Sequence, residues 1–94
     1  MRDSMTSICR HYFVSGKVQG VWFRASAKAE ADRLKVAGWV RNLPDQRVEI
    51  VVCGELENIE IFQIWLQKGP LLAQISKVEM EDLPSKFYPS FDII

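Results

Sequence analysis

The sequence predicts an α+β sandwich in which two helices cover one face of an antiparallel sheet. Three observations carry this: two amphipathic helical stripes, a cleanly alternating strand between them, and a β-α-β-β-α-β order along the chain. At 94 residues the chain suits one two-layer core. Residues 1–7 read as a loose leader and residues 8–94 as a single domain, with no repeat, low-complexity tract or linker.

Ile8 to Ser15 reads as the first strand, bounded by Gly16, with Tyr12 and Val14 on one face and Phe13 on the other. Arg24 to Lys35 reads as a helix. Ala27, Ala31 and Leu34 follow the i, i+4, i+7 spacing of a buried stripe, while Lys28, Asp32 and Lys35 face away. A stripe made mostly of alanine lets this helix lie close to whatever it covers. Gly38 ends the helical connection, and Trp39 to Asn42 forms a short second strand. Leu43 to Gln46 is a turn, with Pro44 and Asp45 supplying its chemistry.

Arg47 to Cys53 alternates, with Val48, Ile50 and Val52 opposed to Arg47, Glu49, Val51 and Cys53. That is the pattern of a half-buried antiparallel strand. Glu55 to Lys68 is the second helix. Ile59, Phe62 and Leu66 form its buried stripe, Glu55, Glu57 and Glu60 its acidic start, and Lys68 its basic end. Gly69-Pro70 stops it. Ile75 to Asp82 makes a fourth strand and Phe91 to Ile94 a short fifth. The order is the ferredoxin-like split βαβ arrangement with an added C-terminal strand. Its first and second strands run parallel with the third between them, so their C-terminal ends share one edge. The loop after Ser15, the side chain of Asn42 and the start of the first helix therefore meet.

Lys plus Arg and Asp plus Glu are 12 each, giving zero net charge. Binding of a long polyanion draws its affinity from a basic surplus that this chain lacks, so no nucleic acid partner is expected. No apolar run of signal-peptide kind or of the roughly 20 residues that span a bilayer occurs, so a cytoplasmic protein without a membrane partner is expected. Two cysteines, Cys9 and Cys53, are too few for a disulfide scaffold and lack partners for a zinc site, and no metal or cofactor is expected.

The loop Gly16-Lys17-Val18-Gln19-Gly20-Val21, followed by Trp22-Phe23-Arg24, joins a strand end to a helix start. Free backbone N–H groups and the positive end of the helix dipole face outward there. Gly16 and Gly20 permit backbone angles that turn successive N–H groups into an anion nest. Arg24 adds a planar fork of donors matched to two phosphate oxygens. The loop lacks the Gly-Lys-Ser/Thr ending of a nucleotide P-loop and the Rossmann glycine spacing. Two glycines four apart equally suit a tight turn; Arg24 sets phosphate binding beside that reading.

Ser15 to Arg24, as a ten-residue string, closely resembles the signature of the acylphosphatases. Gly38-Trp39-Val40-Arg41-Asn42-Leu43-Pro44 resembles their second signature. Arg47 to Gly54, Trp65-Leu66, Lys68 to Ala73 and Phe91-Asp92-Ile93 extend the likeness over residues 8 to 94. The resemblance implies metal-independent hydrolysis of a carboxyl–phosphate mixed anhydride to carboxylate and inorganic phosphate. It assigns phosphate binding to Arg24 and to backbone N–H groups of Gly16 to Val21, and positioning of the attacking water to Asn42. A small acyl phosphate is then the substrate, and inorganic phosphate, or sulfate in its place, a ligand of the site. An acyl phosphate already has a good leaving group, so positioning and charge stabilisation can replace an acid/base pair. Two departures stand out. Trp22 occupies a position where many relatives have a small residue, and reads as a surface-packing aromatic. Ala25-Ser26-Ala27 stands where some relatives carry larger residues or threonine.

Other residues read more plainly. His11 is expected to be an exposed sheet histidine, Arg41 a solvated strand residue, Lys17 an exposed loop lysine able to steer anions, and Trp39 and Trp65 core aromatics. In this topology, pairing Val14 with Val48 sets Tyr12 opposite Ile50, and the same register sets Cys9 opposite Cys53. A cross-strand disulfide fits that register, although a reducing cytoplasm makes two thiols the default. Two rival functions remain beside hydrolysis. A non-catalytic phosphate-binding domain would not need the amide of Asn42. An RNA-binding sheet would need exposed aromatics in basic surroundings, whereas Val51 and Cys53 flank Phe13. A monomer is expected, since no exposed apolar helix is evident.

Overall fold

The computed structural model describes residues 7–94, so most of the expected leader lies outside the described residues. Its elements are β1 (Ser7–Lys17), α1 (Phe23–Leu34), β2 (Ala37–Asn42), β3 (Val48–Glu55), α2 (Leu56–Lys68), β4 (Gln74–Leu83) and β5 (Phe91–Ile93). Ser7 belongs to the first strand rather than to a leader. The sheet order is β4-β1-β3-β2-β5. β3 pairs antiparallel with both β1 and β2, and β4 pairs antiparallel with β1. The sheet is nonetheless mixed, because β5 lies parallel to β2 along Gly38 to Val40.

The β1–β3 register sets Val14 against Val48, Tyr12 against Ile50 and Cys9 against Cys53. Three boundaries differ from the sequence expectation for identifiable reasons. β1 does not stop at Gly16: a bulge between Ser15 and Gly16 lets Gly16 and Lys17 pair with Ile75 and Gln74 of β4. Gly16 has φ 124°, and a Cβ there would collide with the Gln74 carbonyl oxygen, so glycine is required for the strand to turn. Gly38 lies inside β2, where a Cβ would strike the Val51 carbonyl oxygen of the neighbouring strand. α1 ends at Leu34 because Lys35 takes the left-handed conformation, with φ 59°.

The main core lies between helices and sheet. Tyr12, Val14, Ile50 and Val52 meet Phe23, Ala27 and Ala31 of α1 and Ile59, Phe62 and Leu66 of α2. Each large side chain fully removed from water contributes about 1.5–3 kcal/mol, so the α2 stripe is a principal anchor. β3 departs from the half-buried expectation: Val48 through Cys53 are all buried. As the central strand it is covered on its second face by a smaller cluster, where Cys9, Val51 and Cys53 pack with Trp39, Leu83 and Tyr88. The α2 surface also departs from expectation, because Ile61 and Ile64 are exposed on it.

Candidate active site

β1 and β2 deliver their C-terminal ends to the same edge, and the intervening β3 fixes their separation. Val18 and Val21 turn into the core and tie the loop down, while Gly20 is exposed and has φ 74°, with open space where a Cβ would stand. The chain then enters α1 through Trp22, which also adopts the left-handed conformation, with φ 67°. The Trp22 carbonyl accepts from the Ser26 N–H at 3.0 Å and so begins the helix. No side chain caps this N-terminus, and no acidic residue occupies its first turn. The unopposed positive end of the helix therefore remains available to an anion.

A groove of about 390 Å³ opens at this edge, lined by Val18, Gly20, Trp22, Phe23, Arg24, Ala25, Asn42 and Ile93. Four of the residues anticipated from sequence thus come together: Val18, Gly20, Arg24 and Asn42. Gly16 and Lys17 are the last two residues of β1 and do not join the lining. Arg24 is exposed and, among the described residues, forms no ion pair. The Oδ1 atom of Asn42 is buried and has no hydrogen-bond partner among the described residues. An unpaired buried carbonyl costs about 1–3 kcal/mol.

Gln19 behaves differently from its neighbours. Its Nε2 donates to the Leu43 and Arg47 carbonyl oxygens, at 2.9 Å each. Leu43 directly follows Asn42, and its own N–H donates to the Arg47 carbonyl at 2.8 Å. The Gln19 side chain is therefore a strut between the loop and the turn behind Asn42. Position alone, in a loop expected to donate to an anion, gave no sign of this. Trp22 is the second residue read differently from sequence. It is 76% exposed, but it lines the groove instead of packing on the surface. Ile93 was also missed, since its place in the groove depends on β5 docking beside Val40.

The opposite face of the sheet holds a separate polar cluster. His11 is partly buried rather than exposed, and its Nε2 lies 2.7 Å from Glu49 Oε2. Arg41, half exposed, donates through Nε to Glu49 Oε1 at 2.6 Å. Burial pushes the Glu49 carboxyl up, but the hydrogen bonds from Arg41 and His11 and their charges prevail, leaving it below the ordinary value. Trp39 and Trp65 are partly buried against the two cores. Among the described residues no cluster of three or more His, Cys, Asp or Glu side chains is placed to hold a metal ion.

The acylphosphatase family model matches residues 10–93. An acylphosphatase of Legionella pneumophila (strain Paris) is 52% identical over 87 residues, covering 93% of this chain and 96% of that protein. An acylphosphatase structure from Coxiella burnetii superposes with a TM-score of 0.93 at 40% identity, covering 100% of this chain and 99% of that one. The Bacillus subtilis acylphosphatase structure gives 0.90 at 32% identity, covering 93% and 98%. With sequence and fold matched along nearly their whole length, this chain belongs to the acylphosphatase family.

Proposed function

We propose that the protein hydrolyses acyl phosphates to carboxylate and inorganic phosphate, without a metal, in the groove between the Gly16–Arg24 loop and Asn42. The observation that carries the mechanism is the convergence of Gly20, Arg24 and Asn42 on one groove at an uncapped helix N-terminus. The phosphoryl oxygens are held by loop N–H groups and by the Arg24 fork, which stay in place while charge redistributes, as transition-state stabilisation requires. Asn42 accepts a hydrogen bond from the attacking water and holds it in line with the scissile bond. The water oxygen bonds to phosphorus as the phosphorus–acyl oxygen bond breaks, and the carboxylate leaves with that bonding pair. A neutral amide is a poor base, so one water proton passes to a phosphoryl oxygen and the product is dihydrogen phosphate.

The protein acts on this reading as a small-molecule hydrolase, in the cytoplasm and as a monomer. No helix among the described residues is long and apolar enough to cross a membrane. The test is hydrolysis of benzoyl phosphate in the presence of EDTA by wild type, Arg24→Ala and Asn42→Ala. Activity insensitive to chelation is expected, with loss of inhibition by phosphate in the Arg24 variant and its retention in the Asn42 variant. An inactive wild type that still binds phosphate would leave the anion-binding reading in its place.

A further inference from the structure

The groove lining is of two kinds. Beside Gly20, Arg24 and Asn42 it is apolar, formed by Val18, Trp22, Phe23, Ala25 and Ile93. Phe23 is buried in the core, so the apolar surface available to a ligand comes chiefly from Trp22 at 76% exposure and Ile93 at 42%.

Trp22 is doubly unfavourable as it stands. A residue with a Cβ resists the left-handed conformation it adopts, with φ 67°. Its large apolar ring is also left in water, stacked on no other aromatic ring among the described residues. Glycine would fit the backbone better, and any polar residue would suit the solvent better. Strain without packing gain, at a residue bordering a reactive groove, is the kind of outlier that points to a ligand contact.

We infer that Trp22 and Ile93 form an acyl subsite, and that it selects acyl phosphates with flat, apolar acyl groups over those with small ones. This rests on the hydrolase reading above. With the phosphoryl group held by the loop and Arg24, the acyl chain is left to the rest of the groove lining, whose exposed large apolar members are Trp22 and Ile93. An aromatic acyl group would cover the indole by offset stacking or an edge-to-face contact and remove both surfaces from water. An acetyl group is too short to gain from this contact. Because the subsite contacts only the acyl portion, it contributes to binding and leaves the chemistry at phosphorus unchanged.

The test compares benzoyl phosphate with acetyl phosphate for wild type, Trp22→Gly and Trp22→Phe. Glycine suits the left-handed position, so the first variant keeps the helix entry intact. For Trp22→Gly, the KM for benzoyl phosphate should rise about tenfold at unchanged kcat, the size of effect expected for losing one aromatic contact. Acetyl phosphate hydrolysis and inhibition by inorganic phosphate should both stay within about twofold of wild type. Trp22→Phe should restore most of the benzoyl preference. Equal losses on both substrates, or an unchanged benzoyl-to-acetyl ratio, would overturn the subsite while leaving the hydrolase reading intact. A wild type inactive on both substrates would remove the two together.

Discussion

Glu49 and Asn42 lie on neighbouring strands of the same sheet, yet their polar groups are treated in opposite ways. Glu49 is 8% exposed, and its two oxygens are taken by His11 and Arg41. Asn42 Oδ1 is also buried, and the described residues offer it nothing. The cations differ likewise, because Arg41 is engaged and Arg24 has no ion-pair partner among the described residues. Burying a charge is tolerable only when it is paired, so the Glu49 cluster is what a stable fold requires. Asn42 departs from the companion rule that buried polar groups are hydrogen-bonded, and the exposed Arg24 carries no ion pair among the described residues. Saturated polar groups hold the sheet together, whereas the unsaturated ones line the groove proposed to take the substrate.

If this division is right, mutations on the two sides should separate activity from stability. The largest effect belongs to Arg24→Ala. Loss of one preorganised transition-state donor should lower kcat/KM by about 10³-fold. Its unfolding free energy in a urea titration should stay within about 0.5 kcal/mol of wild type, because no partner is left unpaired. A large loss of stability would mean that Arg24 is structural and would break the comparison.

Reduction of a Cys9–Cys53 bond should do the reverse. The two residues face each other across β1 and β3 with their sulfur atoms in bonding contact and their Cα atoms 4.1 Å apart. A cross-link spanning 44 residues stabilises by at most about 4 kcal/mol on the chain-entropy model. Thiol reductant should therefore lower the denaturation midpoint with little change in kcat. Intact mass after air oxidation checks the premise: two free thiols would remove the cross-link from the saturated side of the comparison.

Glu49→Gln should come next, with a loss of about 2 kcal/mol in stability and unchanged kinetics. The Glu49 carboxyl is held below its ordinary 4.5 in the folded protein. The stability it contributes is complete above that ordinary value and is lost as pH falls through the lower, folded one. Acid denaturation of Glu49→Gln should accordingly be shallower below about pH 4.5 than that of wild type.

How much of this was legible in the sequence depended on the range of the interactions. The loop is local, so two glycines and an arginine within nine residues marked it, and its meeting with Asn42 at one groove followed from strand order. The Cys9–Cys53 register followed from antiparallel pairing, which fixes all positions once one pair is known. Burial of Glu49 was not legible, because it depends on two partners, His11 and Arg41, from different strands. The Gln19 strut was hidden for a similar reason. Its partners are the carbonyls of a turn 24 and 28 residues away, and any residue type offers a carbonyl. Ile93 required knowing that β5 joins beside β2 in parallel.

The smallest expected effect isolates backbone strain from function. Helix α1 is bounded by two left-handed residues that are not glycine, Trp22 at its start and Lys35 at its end. The Lys35 N–H donates to the Ala31 and Asp32 carbonyls, so the conformation closes the helix, and a side chain is not what that closure needs. Lys35→Gly should relieve the steric cost while adding some chain entropy to the unfolded state, for a net gain of about 0.5 kcal/mol. Denaturant titration should show this gain with kinetics unchanged on every acyl phosphate. Trp22→Gly makes the same backbone substitution at the other end of the same helix. If both variants gained stability and only Trp22→Gly lost benzoyl phosphate affinity, the strain at the groove would be tied to the ring it presents. If Trp22→Gly gained stability at no kinetic cost, that strain would have no role in catalysis, and the contrast between the two regions would narrow to Arg24 and Asn42.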